Sequence, residues 1–565
     1  MIRQLSPAFL TIALGTGLLA AAPAWRAAAE TAAEPGAAAP APVMPALARL
    51  VADDPALDAF YAARAFAPVW GIAGGSAHDR ARHFLRAVAR AERHALPPER
   101  YDPRALQSRL YRDWTAEAEM AFTRAYLAYA RDVSSGLLAP RRLSRNIDVD
   151  PVRPDRRALM EGIARSPDPA RHLAGLAPQS EDYRWLMRHY EMLGRVAVTD
   201  PDAWGPEVPR GPTLRLGDHG PRVAILRERL AAMGDLDPDY SSAGTAGDVV
   251  LAANEVASDV EFDTGTPDER RYDRALEAAV KRFQERHGLN VDGMVGPATL
   301  GALNHSPAFR AKQVAVNLER ARWLNGRLEG DRIVANLPDF RVEMIRGGEV
   351  VFESRVVIGR QRHQTVEFSD ELDHMVVNPT WFVPNSIATQ EILPKLQENP
   401  GYLASKNMRL VGADASLIEW SMVTPDTFPG RIRQAPGPGN ALGRVKFMFP
   451  NDHAIYLHDT PQRSLFRRDN RAFSHGCVRV EKPIEFAHAL LEGEVDNPEA
   501  SFAHWLRRGS EAYFTFDRKT PVHLIYRTAW RDREGQVQYR SDVYRRDRIV
   551  AEALAAKGVE VPGLD

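Results

Sequence analysis

The chain has 565 residues, 44% of them hydrophobic and 26% charged, which suits several globular domains and excludes a largely disordered chain. Its formal net charge of −1 argues against a nucleic-acid partner and provides no basic face for a membrane surface. Cys477 is the single cysteine, so no disulfide can form within the chain.

The N-terminus has the pattern of an export signal. Arg3 precedes an uncharged run over residues 4–25, and alanines at 27–29 provide a small-residue cleavage site. We predict a cleaved signal peptide over residues 1–29, an Ala/Pro-rich linker over 30–46, and a location in the periplasm or cell envelope. The alternative is a retained membrane anchor, which the prolines and small residues of the run disfavour. In an oxidising compartment a lone cysteine is either buried and inert or kept as a reactive thiol.

Residues 47–205 predict a mostly helical scaffold domain without a catalytic constellation. One amphipathic helix places Phe84, Leu85 and Val88 on one face and arginines on the other, and a second runs from about residue 116 to 134. The arginine stripe is interpreted as a solvated face.

Residues 213–305, which follow a Pro/Gly-rich joint, predict a small three-helix domain. Its opening Gly-x-x-Gly-x-x-Val pattern at 217–223 and its closing pattern at 292–299 resemble the peptidoglycan-binding domain. An insert over residues 236–272, rich in Asp, Ser, Gly and Thr, predicts a flexible excursion. The alternative for the whole domain is a spacer bundle that holds no glycan.

From residue 313 to 547 the pattern changes to short strands separated by Gly-bearing turns, at 333–337, 341–345, 350–352 and 355–358. Such strands favour a β-sandwich over a parallel α/β sheet. The predicted fold class is therefore α+β and multidomain: a helical scaffold, a three-helix domain and a β-sandwich catalytic domain, with a C-terminal tail over 548–565.

Cys477 and His458 form the candidate catalytic pair. A thiol with a pKa of about 8.5 is mostly protonated at pH 7, and an imidazole that takes its proton makes it a nucleophile. Gly476 lets the backbone approach the sulfur and offers an N–H group for an oxyanion. Arg479 shares a strand face with Cys477 and suits a substrate carboxylate. The alternative is a small buried cysteine with an unrelated histidine.

The surroundings of this pair resemble the signature of the YkuD-type L,D-transpeptidases of bacterial cell walls. The resemblance is carried by His458, Ser474, His475, Gly476, Cys477 and Arg479. Segments at 378–384, 434–447 and 521–530 are similar to other blocks of that domain, and the region before residue 140 resembles the scaffold of the large YcbB-like members.

The resemblance implies a groove over the cysteine and residues that line it. Tyr456, Trp381 and Asn378 are expected to bind substrate together with Arg479. An insertion at about 389–429 is expected to cap the groove and exclude water from a thioester, with an ordinary surface excursion as the alternative.

The implied activity is peptidoglycan L,D-transpeptidation. Cys477 attacks the diaminopimelate carbonyl of a tetrapeptide stem, His458 moves the proton, and the amine of a second stem resolves the thioester into a 3→3 cross-link. Ser474 is a candidate for orienting an imidazole, and His475 is either structural or catalytic. Hydrolysis, exchange with D-amino acids and lipoprotein anchoring use the same acyl-enzyme and stay open. The expected partners are donor and acceptor stems and carbapenem inhibitors, without a cofactor or metal.

Three other classes were weighed. A zinc D,D-peptidase needs several His/Asp ligands in close array, and the histidines near Cys477 make no such motif. A non-catalytic wall adaptor would lack the Cys/His pair, and a thiol oxidoreductase would need a second cysteine.

Overall fold

A computed structural model describes residues 43–71, 76–112, 114–236 and 269–563. They divide into two compact units, the first with residues up to 92, 98–130 and 154–176, and the second with 93–97, 131–153 and the chain from 177 onward. The predicted signal peptide, most of the linker at 30–46 and most of the insert at 236–272 lie outside the described residues. No helix within the described ranges has both the length and the apolar character that crossing a membrane requires.

The N-terminal part of the chain is helical, as predicted. Its helices are α1 Val43–Val51, α2 Pro55–Ala62, α3 Ser76–Ala89, α4 Pro103–Leu110, α5 Ala116–Ser135, α6 Pro140–Leu143, α7 Arg156–Arg165, α8 Pro169–Ala174 and α9 Glu181–Thr199. Several begin where an Asp or Ser side chain accepts a backbone N–H of the first turn, often with Pro at the next position. The predicted apolar face is buried: Phe84 and Val88 of α3 have no exposed surface and pack around Trp70 and Phe122.

The three-helix domain is also present, and it belongs to the second unit. Its helices are α10 Pro221–Ala232, α11 Arg274–Arg286 and α12 Pro297–Leu303, and α13 Pro307–Trp323 leads into the strands. Val223, Leu226 and Leu230 are fully buried with Phe283 and Leu303 in one core. Helix α9 packs against α13. Residues 181–199 therefore belong to the second unit, although they lie inside the predicted scaffold range.

The sheet-rich catalytic domain follows. Its strands are β1 Arg332–Asn336, β2 Arg341–Arg346, β3 Glu349–Gly359, β4 Phe368–Val377, β5 Trp381–Phe382, β6 Met408–Val411, β7 Arg431–Gln434, β8 Val445–Met448, β9 Leu457–His458, β10 Ala472–Ser474, β11 Val478–Val480, β12 Ala512–Ile525, β13 Ala529–Arg531 and β14 Val537–Tyr539. The two short strands predicted at 350–352 and 355–358 are one continuous strand, β3.

The main sheet has the order β10-β3-β11-β9-β8-β4-β12-β1-β2, and β2 also pairs with β3. The ladder therefore closes on itself, which leaves fewer open edges than two separate sheets would have. Alternate residues of each strand point inward, and they form a core with Val356, Met375, Phe447 and Leu524 among its members. The α+β class is confirmed.

The insertion after β5 builds a small core of its own. It contains helices α14 Asn385–Ile387, α15 Leu393–Glu398 and α16 Tyr402–Ser405, a π-helical turn at Ala388–Ile392, and the sheet β5-β7-β6. Leu396, Trp420 and Ile432 are buried together. We call residues 381–434 the cap. It extends further in both directions than the capping insertion predicted at about 389–429.

The C-terminal helices are α17 Pro483–Leu491, α18 Pro498–Arg507 and α19 Arg546–Ala555. The predicted tail at 548–565 starts inside α19, where Val550 and Leu554 are buried against the second unit, as is Val559 beyond the helix. The tail predicted at 548–565 is therefore partly helical and packed, because these apolar residues recur at helical spacing and cover a surface within the second unit.

Candidate active site

The site lies on two adjacent parallel strands. In the register of β9 and β11, Arg479 lies opposite His458, and Val478 opposite Leu457. Leu457, Val478 and Val480 point into the core. Because side chains alternate along a strand, Cys477 and Arg479 share the opposite face with His458 and its neighbour Tyr456. The structure therefore brings the predicted cysteine and histidine onto one face.

His458 is held in a defined tautomer. Its side chain is 4% exposed, and Nδ1 lies 2.5 Å from the carbonyl oxygen of Asp459. A carbonyl can only accept, so Nδ1 carries the proton and Nε2 keeps its lone pair. Burial lowers the pKa of His458 to about 3, and the positive charges of Arg479 and Lys446 act in the same direction. The imidazole is therefore neutral at pH 7 and able to accept a proton at Nε2.

Cys477 is half-buried, and its thiol lies 3.6 Å from the carbonyl oxygen of Ala454. Burial raises the pKa of the Cys477 thiol, while hydrogen bonds from the N–H and hydroxyl groups of Tyr456 and the charge of Arg479 oppose that rise. Without substrate, the pair is thus a thiol beside a neutral imidazole, and not a thiolate beside an imidazolium.

Ser474 and Gly476 form the turn that presents the sulfur. The Ser474 hydroxyl donates to the Cys477 carbonyl at 2.6 Å and accepts the Gly476 N–H at 3.1 Å. Gly476 has φ of +120°, which only glycine adopts readily. Two predictions are corrected here: Ser474 closes the turn and makes no hydrogen bond with an imidazole, and the Gly476 N–H is already bonded. Among the described residues, the N–H of Cys477 itself has no acceptor.

Thr365 supports this turn from behind. Its hydroxyl donates to the Gly476 carbonyl at 2.7 Å and accepts the N–H of Gly359 at 2.9 Å. Arg546, on α19, in turn donates to the Thr365 carbonyl at 2.7 Å. These groups are buried, so the backbone behind Cys477 is fixed by satisfied hydrogen bonds.

Arg479 lies on the same face as Cys477, close enough for each side chain to shift the pKa of the other. Nη1 donates to Gln462 Oε1 at 2.7 Å, and the buried Nε has no hydrogen-bond partner in the described part of the chain. Burial lowers the pKa of Arg479, and the neighbouring Cys477 and Glu391 oppose that effect. The guanidinium therefore retains donors for an incoming carboxylate.

His475 points to the cap rather than to the catalytic pair. Its Nε2 lies 2.7 Å from Glu391 Oε1, and Arg360 donates to the same oxygen at 2.7 Å. Glu391 lies in the π-helical turn of the cap. These two hydrogen bonds lower the pKa of Glu391, against the opposite effect of partial burial. His475 thus connects the Ser474–Cys477 turn to the cap.

The three remaining predicted residues lie in different parts of the domain. Tyr456 is beside the nucleophile, with its ring 5.5 Å from that of His458. Trp381 pairs with Gln434 in the cap sheet and packs against the cap core. Asn378 is 8% exposed and its amide donates to the carbonyls of Trp505, Leu506 and Ser510, so it ties β4 to the end of α18. The structure gives Asn378 a structural position, with its donors already bonded.

Sequence reasoning missed several contributors. The Asp459 carbonyl could have been proposed, because Asp459 follows His458 directly. Gln462, which holds Arg479, and Glu391, which holds His475, carry no local signal: each becomes relevant only through the fold.

Family models match three segments of the chain. They are the L,D-transpeptidase catalytic domain over residues 330–501, the Scaffold domain over 55–189 and the "Putative peptidoglycan binding domain" over 258–303, of which residues 269–303 are described. The chain contains a YkuD-type L,D-transpeptidase catalytic domain. The predicted resemblance is thereby confirmed at the level of its domains.

Individual relatives cover parts of the chain. A protein of Haemophilus influenzae named "Putative L,D-transpeptidase" is 36% identical over 244 residues, which are 42% of this chain and 49% of that protein. The match thus spans about half the length of that relative. The N-acetylmuramoyl-L-alanine amidase CwlM of Mycobacterium tuberculosis is 33% identical over 96 residues, 17% of this chain and 19% of that protein.

Solved structures also match. An L,D-transpeptidase from Stackebrandtia nassauensis has 12% identity and a TM-score of 0.19, covering 57% of this chain and 97% of that one. An L,D-transpeptidase from Xylanimonas cellulosilytica has 16% identity and a TM-score of 0.15, covering 56% of this chain and 100% of that one.

Proposed function

We propose that the chain is a cysteine L,D-transpeptidase that forms 3→3 cross-links between peptidoglycan stem peptides. One observation carries the proposal: Cys477, His458 and Arg479 share one face of the parallel β9–β11 pair, and Nε2 of His458 is free to take a proton. Its extracytoplasmic location, through the predicted signal at 1–29, is part of the same proposal.

The first half-reaction forms a thioester. Nε2 of His458 accepts the thiol proton as the sulfur attacks the carbonyl carbon of the L-centre of diaminopimelate. The negative charge on the carbonyl oxygen is stabilised by the N–H of Cys477. When the C–N bond breaks, the imidazolium returns the proton to the nitrogen of the departing D-alanine. Because both groups are neutral at rest, proton transfer accompanies the attack rather than preceding it.

The second half-reaction consumes the thioester. The side-chain amine of a second stem loses a proton to His458 and attacks the acyl carbon, and the sulfur leaves and regains that proton. Arg479 is suited to bind a carboxylate of the donor, since its Nε has no hydrogen-bond partner among the described residues. The cap, bonded through Glu391 to His475, borders this site and would limit the access of water, which otherwise resolves the same thioester.

The test combines muropeptide analysis with covalent labelling. Purified protein incubated with disaccharide tetrapeptide should yield 3→3 dimers and release D-alanine. A carbapenem should add one mass increment per chain, which peptide mapping places on Cys477. Both products should be absent in Cys477→Ala, whose far-UV circular dichroism and melting temperature should match those of the wild type.

The outcome also identifies the acceptor. Tripeptide as the sole product would indicate a carboxypeptidase with the same nucleophile. Dimers formed by Cys477→Ala, or a carbapenem adduct on another residue, would contradict the proposed mechanism.

A further inference from the structure

The second unit contains a cavity of about 650 Å³ that shares no lining residue with the site around Cys477. Its wall is formed by the end of the three-helix domain, by α13, by the segment 539–542 and by α19. This volume is typical of sites for small organic ligands. Phe309, Val316, Ala551 and Ala555 provide its apolar surface.

Arg310, on α13, is a buried cation in the wall of this cavity. It is 5% exposed, and it forms no ion pair with a carboxylate in the part of the chain that the structure describes. Nη1 donates to Gln313 Oε1 at 2.8 Å and Nη2 to the Ala302 carbonyl at 3.1 Å, and the guanidinium lies 4.3 Å from the centre of the Tyr539 ring. These contacts use two of its five N–H donors. A buried charge without a counter-charge is costly, unless a ligand supplies one.

The acidic residues of the wall are already paired. Asp547 accepts hydrogen bonds from Arg320 at 2.5 Å and from the Thr528 hydroxyl at 2.6 Å. Asp542 accepts the Tyr526 hydroxyl at 2.7 Å and several backbone N–H groups at the start of α19. Glu552, the third carboxylate of the wall, forms an ion pair with Arg548 at 3.7 Å, so none of the three is paired with Arg310.

The wall has more positively charged side chains than carboxylates that could pair with them. Arg540 is paired with Asp339 at 2.5 Å, but Lys312 pairs with no carboxylate among the described residues and lies 5.7 Å from the centre of the Phe309 ring. Burial lowers the pKa of Arg310 to about 10, which leaves it charged at pH 7. Burial and the nearby cations Arg310, Arg229 and Lys312 lower the pKa of His305 to about 4, so this imidazole is neutral.

We propose that this cavity binds a small ligand through a carboxylate or phosphate group held by Arg310 and Lys312, with its apolar part against Phe309 and Val316. The two cations are two residues apart on α13, and both lie near the Phe309 ring, Arg310 at 5.8 Å and Lys312 at 5.7 Å from its centre. A peptidoglycan stem carries free carboxylates, and one wall of the cavity is the end of the domain at 213–305. The choice of stem peptide as the first probe rests on the proposed function, whereas the anion site itself does not.

The experiment measures binding to the full chain carrying Cys477→Ala, which prevents turnover. Isothermal titration uses three probes: disaccharide tetrapeptide, the same compound with its carboxylates amidated, and inorganic phosphate. The unmodified probe should bind at two sites, one of them in the cavity. Arg310→Lys and Lys312→Gln should each weaken the cavity site about tenfold, the effect of one lost charge-assisted hydrogen bond. Lys557→Gln, an exposed lysine just beyond α19, is the matched control and should leave both sites unchanged.

Each outcome decides the proposal. Loss of one binding site in Lys312→Gln supports the anion site. If phosphate binds that site more tightly than the tetrapeptide does, the site is assigned to phosphorylated ligands. If the tetrapeptide instead binds more tightly than its amidated form, in a way that depends on the same two residues, the anion site is assigned to peptidoglycan stem peptides. Unchanged binding of all probes in both variants overturns the proposal. A Lys312→Gln variant that retains Cys477 should be labelled by a carbapenem at the wild-type rate. Normal labelling with unchanged ligand binding would contradict the anion site alone, whereas absent labelling in the wild type would contradict the proposed function.

Discussion

Glu119 in the helical unit and Arg479 in the catalytic domain differ in how completely their hydrogen bonds are satisfied. Each Glu119 oxygen accepts two: Oε1 from the Tyr61 hydroxyl and the Val69 N–H, and Oε2 from the Trp70 N–H and the Trp114 indole. Arg479 keeps a buried Nε without a described partner. The carboxylate in the helical unit has all its hydrogen bonds made, which helps to specify one fold, whereas the site around Cys477 keeps a buried donor without a described partner.

The largest predicted effect concerns the closed network. Glu119→Ala removes an acceptor shared by four donors that have little access to water, so we expect a loss of about 4 kcal/mol in the free energy of unfolding of the helical unit. Urea unfolding followed by hydrogen exchange of peptides from α2 and α5 would measure it.

Glu117→Ala on the same helix is the matched control, because this carboxylate is exposed and should change stability by less than about 1 kcal/mol. Equal effects of the two substitutions would show that burial of the Glu119 network contributes nothing specific.

At the open end of the comparison, Arg479→Gln should weaken transpeptidation about 30-fold, mainly through a higher KM for the donor, since a charged hydrogen bond to a substrate carboxylate is worth about 2 kcal/mol. Stability should be unchanged or improved, because a buried cation with an unpaired Nε is removed. A lower stability with an unchanged KM would assign Arg479 a structural role. Steady-state kinetics and thermal unfolding of the same preparation measure both.

The resting charge state of the pair gives a third prediction, on the pH dependence of alkylation. Burial raises the thiol pKa and lowers that of His458 to about 3, so the thiolate fraction grows with pH and no step arises from the imidazole between pH 5 and 8. The rate of alkylation of Cys477 by iodoacetamide should therefore rise about tenfold per pH unit from 6 to 8. His458→Ala should leave this pH dependence in place, because an imidazole with a pKa of about 3 does not set the thiolate fraction, whereas transpeptidation, which needs the proton acceptor, should be lost. A plateau below pH 7 would instead indicate a thiolate–imidazolium pair.

Much of the fold followed from local pattern. The apolar spacing at Phe84 and Val88, the spacing of Val223, Leu226 and Leu230, and the alternation at 333–337 predicted α3, α10 and β1, because those side chains must share a buried face. Pro483 is likewise the first residue of α17, since proline suits the first turn of a helix. The C-terminal helix was missed because its burial depends on a surface provided by distant residues.

The site divides in the same way. The sequence allowed three residues to be proposed from side-chain chemistry: a thiol (Cys477), an imidazole that can take its proton (His458) and a guanidinium for a carboxylate (Arg479). The strand register then places them on one face. Ser474, Gly476 and Asn378 were assigned by residue type, but their hydrogen-bond partners depend on the local turn or on contacts far along the chain. A donor's availability is decided by what else lies within about 3 Å, and sequence pattern does not contain that information.

The smallest predicted effect tests whether the cap acts on the site through Glu391. Glu391→Gln keeps the shape of the side chain but removes the charge that Arg360 and His475 share, and both partners are about one-quarter exposed. Partly exposed ion pairs are worth about 0.5–1 kcal/mol, so carbapenem acylation of Cys477 should slow about two- to fivefold. Stability should hardly change, because the cap has its own core around Trp420. Lys395→Gln, an exposed charge of α15 in the same cap, should leave the acylation rate unaltered. If Glu391→Gln and Lys395→Gln acylate at the same rate as the wild type, the contact between His475 and the cap has no part in the reaction, and the cap is a separate structural addition beside the groove.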